Sequence, residues 1–246
     1  MKNIKIFIKS KLKNIEFLFN INKIFYKLFQ IKSCYHFYND ERKCIFIHIP
    51  KTAGRSFHRY LFSKDSPGHI PLKRYKILDE KRYNQYYKFC FIRRPSDRLY
   101  SAFNHYFKKS KVDEKLVKGK EEHFIATKYF LNLKNFEAFL IYLRDKKKNN
   151  IILQQPHFRP MVDWICVNNK IPTDLNIFPV EKIYKLKNFF DVKFELSNEQ
   201  FPQIGKESSD GVIKLHNESD LCKEIIQRFY KNDQKIYDDI INKFKN

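Results

Sequence analysis

Short apolar runs alternate along the chain with longer stretches in which apolar residues recur every three or four positions. The short runs predict buried strands at residues 44–49, 86–92 and 175–180. The first run is followed by a proline and the second by two arginines, and each is followed by a helical pattern. The sequence therefore predicts an α/β domain with a central, mostly parallel sheet flanked by helices.

Helical spacing predicts helices over residues 55–62, 95–108, 136–143, 183–190 and 218–245. The last is the most regular, since its apolar residues form one stripe: Leu221, Ile225, Phe229, Ile236, Ile240 and Phe244. No internal repeat divides the pattern. Residues 44–246 are therefore predicted to form one domain.

Residues 1–43 form a basic amphipathic segment, in which Ile8, Leu12, Ile15 and Phe19 recur at helical spacing. Lysines interrupt this segment too often for a membrane-spanning helix, and no cleavage site follows a clean apolar stretch. We expect the segment to pack on the domain, with peripheral contact to an acidic membrane surface as the alternative.

Composition narrows the range of partners. The 246 residues include 49 Lys and Arg against 27 Asp and Glu, a formal net charge of +22, which favours polyanionic ligands. The 5 cysteines are widely spaced and form no CxxC pair, so neither a zinc site nor a disulfide framework is indicated. A reducing compartment is expected, which indicates a cytoplasmic or membrane-peripheral protein.

The first candidate site is the segment HIPKTAGRSF, residues 48–57, where a strand, a short loop and a helix follow one another. Backbone N–H groups at such a helix start favour a bound anion. Lys51 adds a point charge, and Thr52 and Ser56 add hydroxyl donors. The lysine precedes the glycine, so the segment is no Walker A loop, and the dinucleotide fingerprint is absent as well.

The second candidate site is FIRRPSDRLYSAF, residues 91–103. Arg93 follows a strand at the sheet edge where α/β proteins bind ligands, and Pro95 opens the next helix. Arg93 is expected to bind a phosphate together with the Ser101 hydroxyl. Arg98 is expected to form a structural salt bridge.

Together the two segments resemble the signature pair of sulfotransferases that use 3′-phosphoadenosine 5′-phosphosulfate (PAPS). The similarity is to the carbohydrate branch related to heparan sulfate 2-O-sulfotransferase and the chondroitin sulfotransferases. It is specific at these two segments and looser elsewhere, at HFRPMVDWI, IFPVEKIYKLKNFF and RFYKNDQKIYDDI. This sequence departs from the branch at Arg55, where threonine is usual, and at Arg94, where asparagine is common.

The resemblance implies a P-loop-like three-layer domain and a role for each motif residue. Lys51 would neutralise the oxygen that bridges phosphate and sulfonate as the bond breaks, without a metal. Arg93 and Ser101 would hold the 3′-phosphate. The residues that would hold the 5′-phosphosulfate are Lys51, Thr52, Ala53, Gly54, Arg55 and Ser56.

A base must also take the proton of the acceptor hydroxyl. His69, in the loop SPGHIP, resembles the residue that serves as the base in the 2-O-sulfotransferase type. His157 is the second candidate and Glu181 a remote one. His48 belongs to the strand and is expected to form structural hydrogen bonds.

The sequence thus predicts an enzyme that moves a sulfonyl group from PAPS to a hydroxyl of a carbohydrate, with an anionic polysaccharide favoured and no nucleic acid partner. An atypical small-molecule kinase is one alternative, but no acidic residue at a strand end suits its metal. A non-catalytic binder of acidic glycans or nucleic acid is the other, and no nucleic-acid-binding signature supports it.

Overall fold

The computed structural model describes residues 34–113, 120–145, 150–196, 201 and 219–244. The polar residues Lys206, Lys214, Asn217 and Ser219 are expected to form a solvated loop before the last helix. The first three lie outside the described ranges, as does most of the predicted N-terminal segment. The described part of residues 1–43 packs on the domain, because Cys34, Tyr35 and Tyr38 are buried. The domain boundary at residue 44 stays a prediction.

Three strands and a larger number of helices make up the described chain. In order they are α1 (Phe37–Arg42), β1 (Cys44–Ile47), α2 (Gly54–Phe62), α3 (Leu72–Leu78), α4 (Glu80–Gln85), β2 (Tyr87–Ile92), α5 (Pro95–Lys109), α6 (Lys120–Phe130), α7 (Phe136–Arg144), α8 (Asn150–Gln154), α9 (Val162–Ile165), β3 (Leu175–Pro179), a 3₁₀ helix (Val180–Leu186), α10 (Lys187–Phe194), α11 (Asp220–Phe229) and α12 (Lys231–Lys243).

The predicted parallel sheet is confirmed, with strand order β1-β2-β3. Ile47 of β1 is paired with Cys90 of β2, and Ile92 of β2 is paired with Pro179 of β3. All three strands therefore run toward the same edge of the sheet. The two candidate anion-binding segments follow β1 and β2, which are neighbours, so both begin at that edge.

Helices cover both faces of the sheet, which gives the predicted three-layer architecture. Alternate strand residues point to opposite faces. Ile45 and Ile92 pack with α3, α4, α9 and α12, whereas Phe46 and Phe91 pack with α1, α2, the 3₁₀ helix and α10. Both faces are apolar because a parallel sheet with helices on either side is buried throughout.

A third apolar cluster lies beside the sheet and is built on α5. Phe103 and Tyr106 of α5 pack with residues of α6, α7 and α11. Phe158, from the segment between α8 and α9, joins the same cluster. One side of α5 is thus fixed by this helical cluster, while its first turn lies at the ligand-binding edge of the sheet.

Two predicted helices differ from those observed. The single helix expected over residues 218–245 is broken at Tyr230 into α11 and α12. Tyr230 is buried and its hydroxyl donates to the Phe158 carbonyl at 2.6 Å, a contact that the apolar stripe does not reveal. The helix expected over residues 183–190 is a 3₁₀ segment followed by α10.

Candidate active site

The segment after β1 exposes the N-terminal end of α2. Lys51 and Ala53 adopt positive φ angles of 68° and 62°, and this turn leads the chain into the helix. The first helical hydrogen bond runs from the Phe57 N–H to the Ala53 carbonyl. Among the described residues no side chain caps this end, so the N–H groups of Gly54 to Ser56 are available to an anion.

The side chains of this loop differ in whether their polar groups are accessible to a ligand. Thr52 is 0% exposed, and its hydroxyl donates to the Ile49 carbonyl at 2.9 Å. The expected hydroxyl donor at Thr52 is therefore used inside the loop, and its backbone N–H is what remains for a ligand. Arg55 and Ser56 are exposed and Lys51 is half-buried.

Gly54 is required by the close approach of His48. A Cβ atom at this position would lie 1.9 Å from Cδ2 of the His48 ring. The ring is held in turn, because its Nδ1 lies 2.7 Å from the Ser66 hydroxyl. The expected structural role of His48 is thus visible, and burial lowers its pKa to about 2, so that the ring is neutral.

We expect Gly54→Ala to lower the free energy of unfolding by about 1–3 kcal/mol, because the added methyl group overpacks the His48 ring. Denaturant unfolding followed by circular dichroism measures this change. The matched comparison is the same substitution in a His48→Ala background, where the space is free and the cost should be smaller. Equal costs in the two backgrounds would contradict this explanation.

The segment after β2 places Arg93 at the start of α5. Arg93 is half-buried, and its guanidinium has no hydrogen bond or ion pair with another described residue. Ser101, two turns into α5, is half-buried, and within the same ranges its hydroxyl likewise has no partner. Neighbouring Arg94 points elsewhere, over the ring of Tyr237 at 5.9 Å.

Arg98 connects the two segments. This residue is 2% exposed, and its Nε donates to the Pro50 carbonyl at 3.1 Å. Its Nη2 donates to the carbonyls of Arg159 and His157, at 2.6 and 3.3 Å. The buried Asp233 carboxylate lies 4.0 Å away, which confirms the expected structural salt bridge. One side chain therefore holds the first loop, the start of α5 and the His157 segment together.

His69 is attached directly to the first loop. Its Nδ1 lies 2.9 Å from the His48 carbonyl, which is three residues before Lys51. Ser66 fixes the same turn, since its hydroxyl contacts both His48 and the Gly68 N–H. Gly68 has a φ of 103°, which the turn before His69 requires of a glycine.

The environment of His69 favours a neutral imidazole. A carbonyl oxygen only accepts, so Nδ1 carries the proton and Nε2 keeps its lone pair. Burial, with a ring contact to Trp164, lowers the pKa of His69, and the charges of Arg55 and Arg98 lower it further. A neutral imidazole with a fixed tautomer is the form that can accept a proton.

A group of residues, of which the sequence analysis named only His157 as a candidate, lies behind His69. The His157 ring is 5.5 Å from the His69 ring and 4.8 Å from that of His105. Glu122 lies 3.0 Å from Nε2 of His105 and 3.4 Å from Nδ1 of His157. His157 was the second candidate base, but nothing in the sequence indicates Glu122, because α6 meets α5 through tertiary packing alone.

Ligand atoms of His105, Glu122 and His157 all lie within 4.8 Å of one another, a spacing that suits a metal ion. Both Glu122 oxygens already have partners, however, one in Nε2 of His105 and the other in the ammonium group of Lys109.

The remote candidate base Glu181 and several other polar side chains have partners in the described structure. Glu181 accepts a hydrogen bond from the Arg94 N–H at 3.1 Å, which ties the 3₁₀ helix to the end of β2. Ser219, expected in a solvated polar loop, caps α11 by accepting from the Cys222 N–H. His58 and His123 are buried against the carbonyls of Lys64 and Val112. All five cysteines are free thiols.

The fold and site define an α/β domain with two neighbouring basic segments at the carboxyl edge of a parallel sheet. Residues 35–239 match the family model described as the sulfotransferase family, so the chain belongs to that family. No curated protein and no solved structure matches the chain. Within the described ranges, no helix is long and apolar enough to cross a membrane.

Proposed function

We propose that this sulfotransferase moves the sulfonyl group of PAPS to a hydroxyl group of a carbohydrate, with an anionic polysaccharide as the favoured acceptor. The observation that carries the proposal is the adjacency of the two basic segments, joined by the Arg98–Pro50 hydrogen bond at one edge of the sheet. A donor with phosphate groups at both its 3′ and 5′ positions needs two such sites close together.

The residues available to the donor fit two phosphate groups. The uncapped start of α2 and Lys51 suit the 5′-phosphosulfate, since backbone N–H groups and a cation converge there. Arg93 and Ser101 suit the 3′-phosphate because a guanidinium binds phosphate through two parallel hydrogen bonds. Thr52 contributes its backbone and not its hydroxyl.

His69 and Lys51 divide the chemistry between them. Nε2 of His69 takes the proton of the acceptor hydroxyl as the acceptor oxygen attacks sulfur. Lys51 stabilises the negative charge that develops on the oxygen leaving with the phosphate. The proposed reaction uses no metal ion, because the cationic side chains balance the charges of the donor.

The acceptor is proposed on chemical grounds. A net charge of +22 favours an anionic polymer over a neutral small alcohol. Sulfonyl transfer also requires a nucleophilic hydroxyl, which a polysaccharide supplies in every unit. Peripheral membrane contact through residues 1–43 and a cytoplasmic location stay predictions.

Calorimetric titration with adenosine 3′,5′-bisphosphate and adenosine 5′-monophosphate tests the donor site. We expect the bisphosphate to bind more tightly, since Arg93 and Ser101 then have a ligand. Lys51→Ala should weaken the binding of both nucleotides by about ten- to a hundredfold, because one charged hydrogen bond is lost. Arg93→Ala should remove the preference for the bisphosphate.

Two variants, one of an arginine and one of a lysine, provide matched controls for Arg93→Ala and Lys51→Ala. Arg94→Ala removes the same charge one residue later, from a side chain that lies over Tyr237. Lys64→Ala removes an exposed lysine that lies over the Phe37 ring. Both should bind the bisphosphate as the wild type does. Equal affinity of the wild type for the two nucleotides would refute the proposed 3′-phosphate site.

A further inference from the structure

A carboxylate lies behind the candidate base, on an element that neither signature segment includes. Glu122 of α6 is half-buried, and its Oε1 lies 3.0 Å from Nε2 of His105. Its Oε2 is paired with Lys109. His105 and Lys109 are one turn apart on α5, so they fix the Glu122 carboxylate at both of its oxygens.

His157 stands between this carboxylate and His69. Its Nδ1 is 3.4 Å from Oε1 of Glu122, and its ring meets the His69 ring edge to face at 5.5 Å. Burial, together with the adjacent His105, lowers the pKa of His157 to about 3. A neutral His157 ring places no positive charge between Glu122 and His69.

We propose that Glu122 is a positioning residue whose negative charge, acting across His157, stabilises the positive charge that His69 acquires during sulfonyl transfer. The inference rests on the function proposed above. In that step the acceptor O–H proton moves to Nε2 of His69 and the acceptor oxygen bonds to sulfur. The bond from sulfur to the phosphate oxygen breaks, and its electron pair stays on that oxygen.

The charges around His69 show why a carboxylate matters there. Burial disfavours the protonated form of His69 and so lowers its pKa. The positive charges of Arg55 and Arg98 lower this pKa as well. Glu122 acts in the opposite sense and favours the protonated form. Among the described residues, the titratable and charged groups around His69 include Arg55, Arg98, His48, His157 and Glu122, with Lys51 acting on the adjacent His157 ring.

The direct test is a pH titration of the His69 imidazole by NMR, with ¹³C-labelled histidine and a His69→Gln variant to assign the resonance. Glu122→Gln should weaken proton binding at His69 about threefold or more, a fall in its pKa of about half a unit. The variant removes the carboxylate charge while the positive charge of Lys109 remains, and the more positive surroundings disfavour the imidazolium.

Two further variants make the result specific. Glu121→Gln removes the same charge from an exposed neighbour on α6 and should leave the titration unchanged. Lys109→Met removes the opposing cation and should raise the pKa of His69. This opposite sign keeps the proposal testable should Glu122→Gln fail to fold. An unchanged His69 titration in both Glu122→Gln and Lys109→Met would overturn the proposal.

Kinetics separate this inference from the function on which it rests. Glu122→Gln should lower kcat by about two- to threefold, with an unchanged affinity for adenosine 3′,5′-bisphosphate and an acidic limb of kcat/KM displaced to lower pH. If His69→Ala abolishes turnover while Glu122→Gln has the same kcat as Glu121→Gln, His69 remains the assigned base and the role of Glu122 is refuted. Full turnover of His69→Ala would refute both.

Discussion

His69→Ala should reduce sulfonyl transfer by about a hundred- to ten-thousandfold, while adenosine 3′,5′-bisphosphate binds as tightly as before. The substitution removes the nitrogen that accepts the acceptor proton, but it leaves Lys51, Arg93 and the start of α2 in place. Turnover is measured with labelled donor and a panel of sulfated and unsulfated polysaccharides, in the presence of a metal chelator. The chelator should have no effect.

The pH dependence of the wild type follows from the same residue. Burial lowers the pKa of His69 below its ordinary value of 6.5, so the active, neutral form persists to lower pH than for an exposed histidine. The rate should fall as the pH drops through that lowered pKa, and His69→Ala should lose this limb.

His36→Ala is the matched control for this prediction, because His36 lies at the start of α1 and stacks on Tyr38. Its turnover should equal that of the wild type. Unchanged turnover in His69→Ala would assign the base to another residue, with His157 as the next candidate.

Arg98→Met should lower the free energy of unfolding by about 3–5 kcal/mol, the largest stability change that we expect in this chain. The variant leaves the buried Asp233 without its counter-charge and removes the donor to three carbonyl groups. Two of these carbonyls belong to Pro50 and His157, so binding of adenosine 3′,5′-bisphosphate should also weaken. Denaturant unfolding and calorimetric titration measure the two effects.

Arg59→Met provides the comparison for this substitution. Arg59 pairs with Asp65 at an exposed surface, where an ion pair contributes about 1 kcal/mol or less. A second variant, Arg98→Met with Asp233→Asn, should recover part of the stability, because it removes the uncompensated charge as well. If Arg98→Met unfolds at the same denaturant concentration as Arg59→Met, Arg98 does not hold the loops together as described.

The elements that carry the site were predicted correctly because their signals are local. An apolar run followed by Pro50 or by Arg93 marks a strand end, whatever the rest of the chain does. The helix beginning after Pro95 is marked by that proline and by its apolar spacing. Such signals do not reveal distant contacts, such as the one at Tyr230, where α11 ends and where the tyrosine hydroxyl donates to the Phe158 carbonyl.

The sequence by itself determined the three strands, the helices that follow the two basic segments, and Lys51 and Arg93 as candidates. These follow from residue type and spacing over short stretches, which fix local backbone geometry. His69 became a candidate through the resemblance of its loop to that of the 2-O-sulfotransferase type.

Tertiary structure alone decided how the candidates are joined. It turned the Thr52 hydroxyl inward, buried Arg98 between three segments and placed Glu122 behind His157. Contacts between residues far apart in the chain depend on how whole helices pack, and no local pattern encodes that packing.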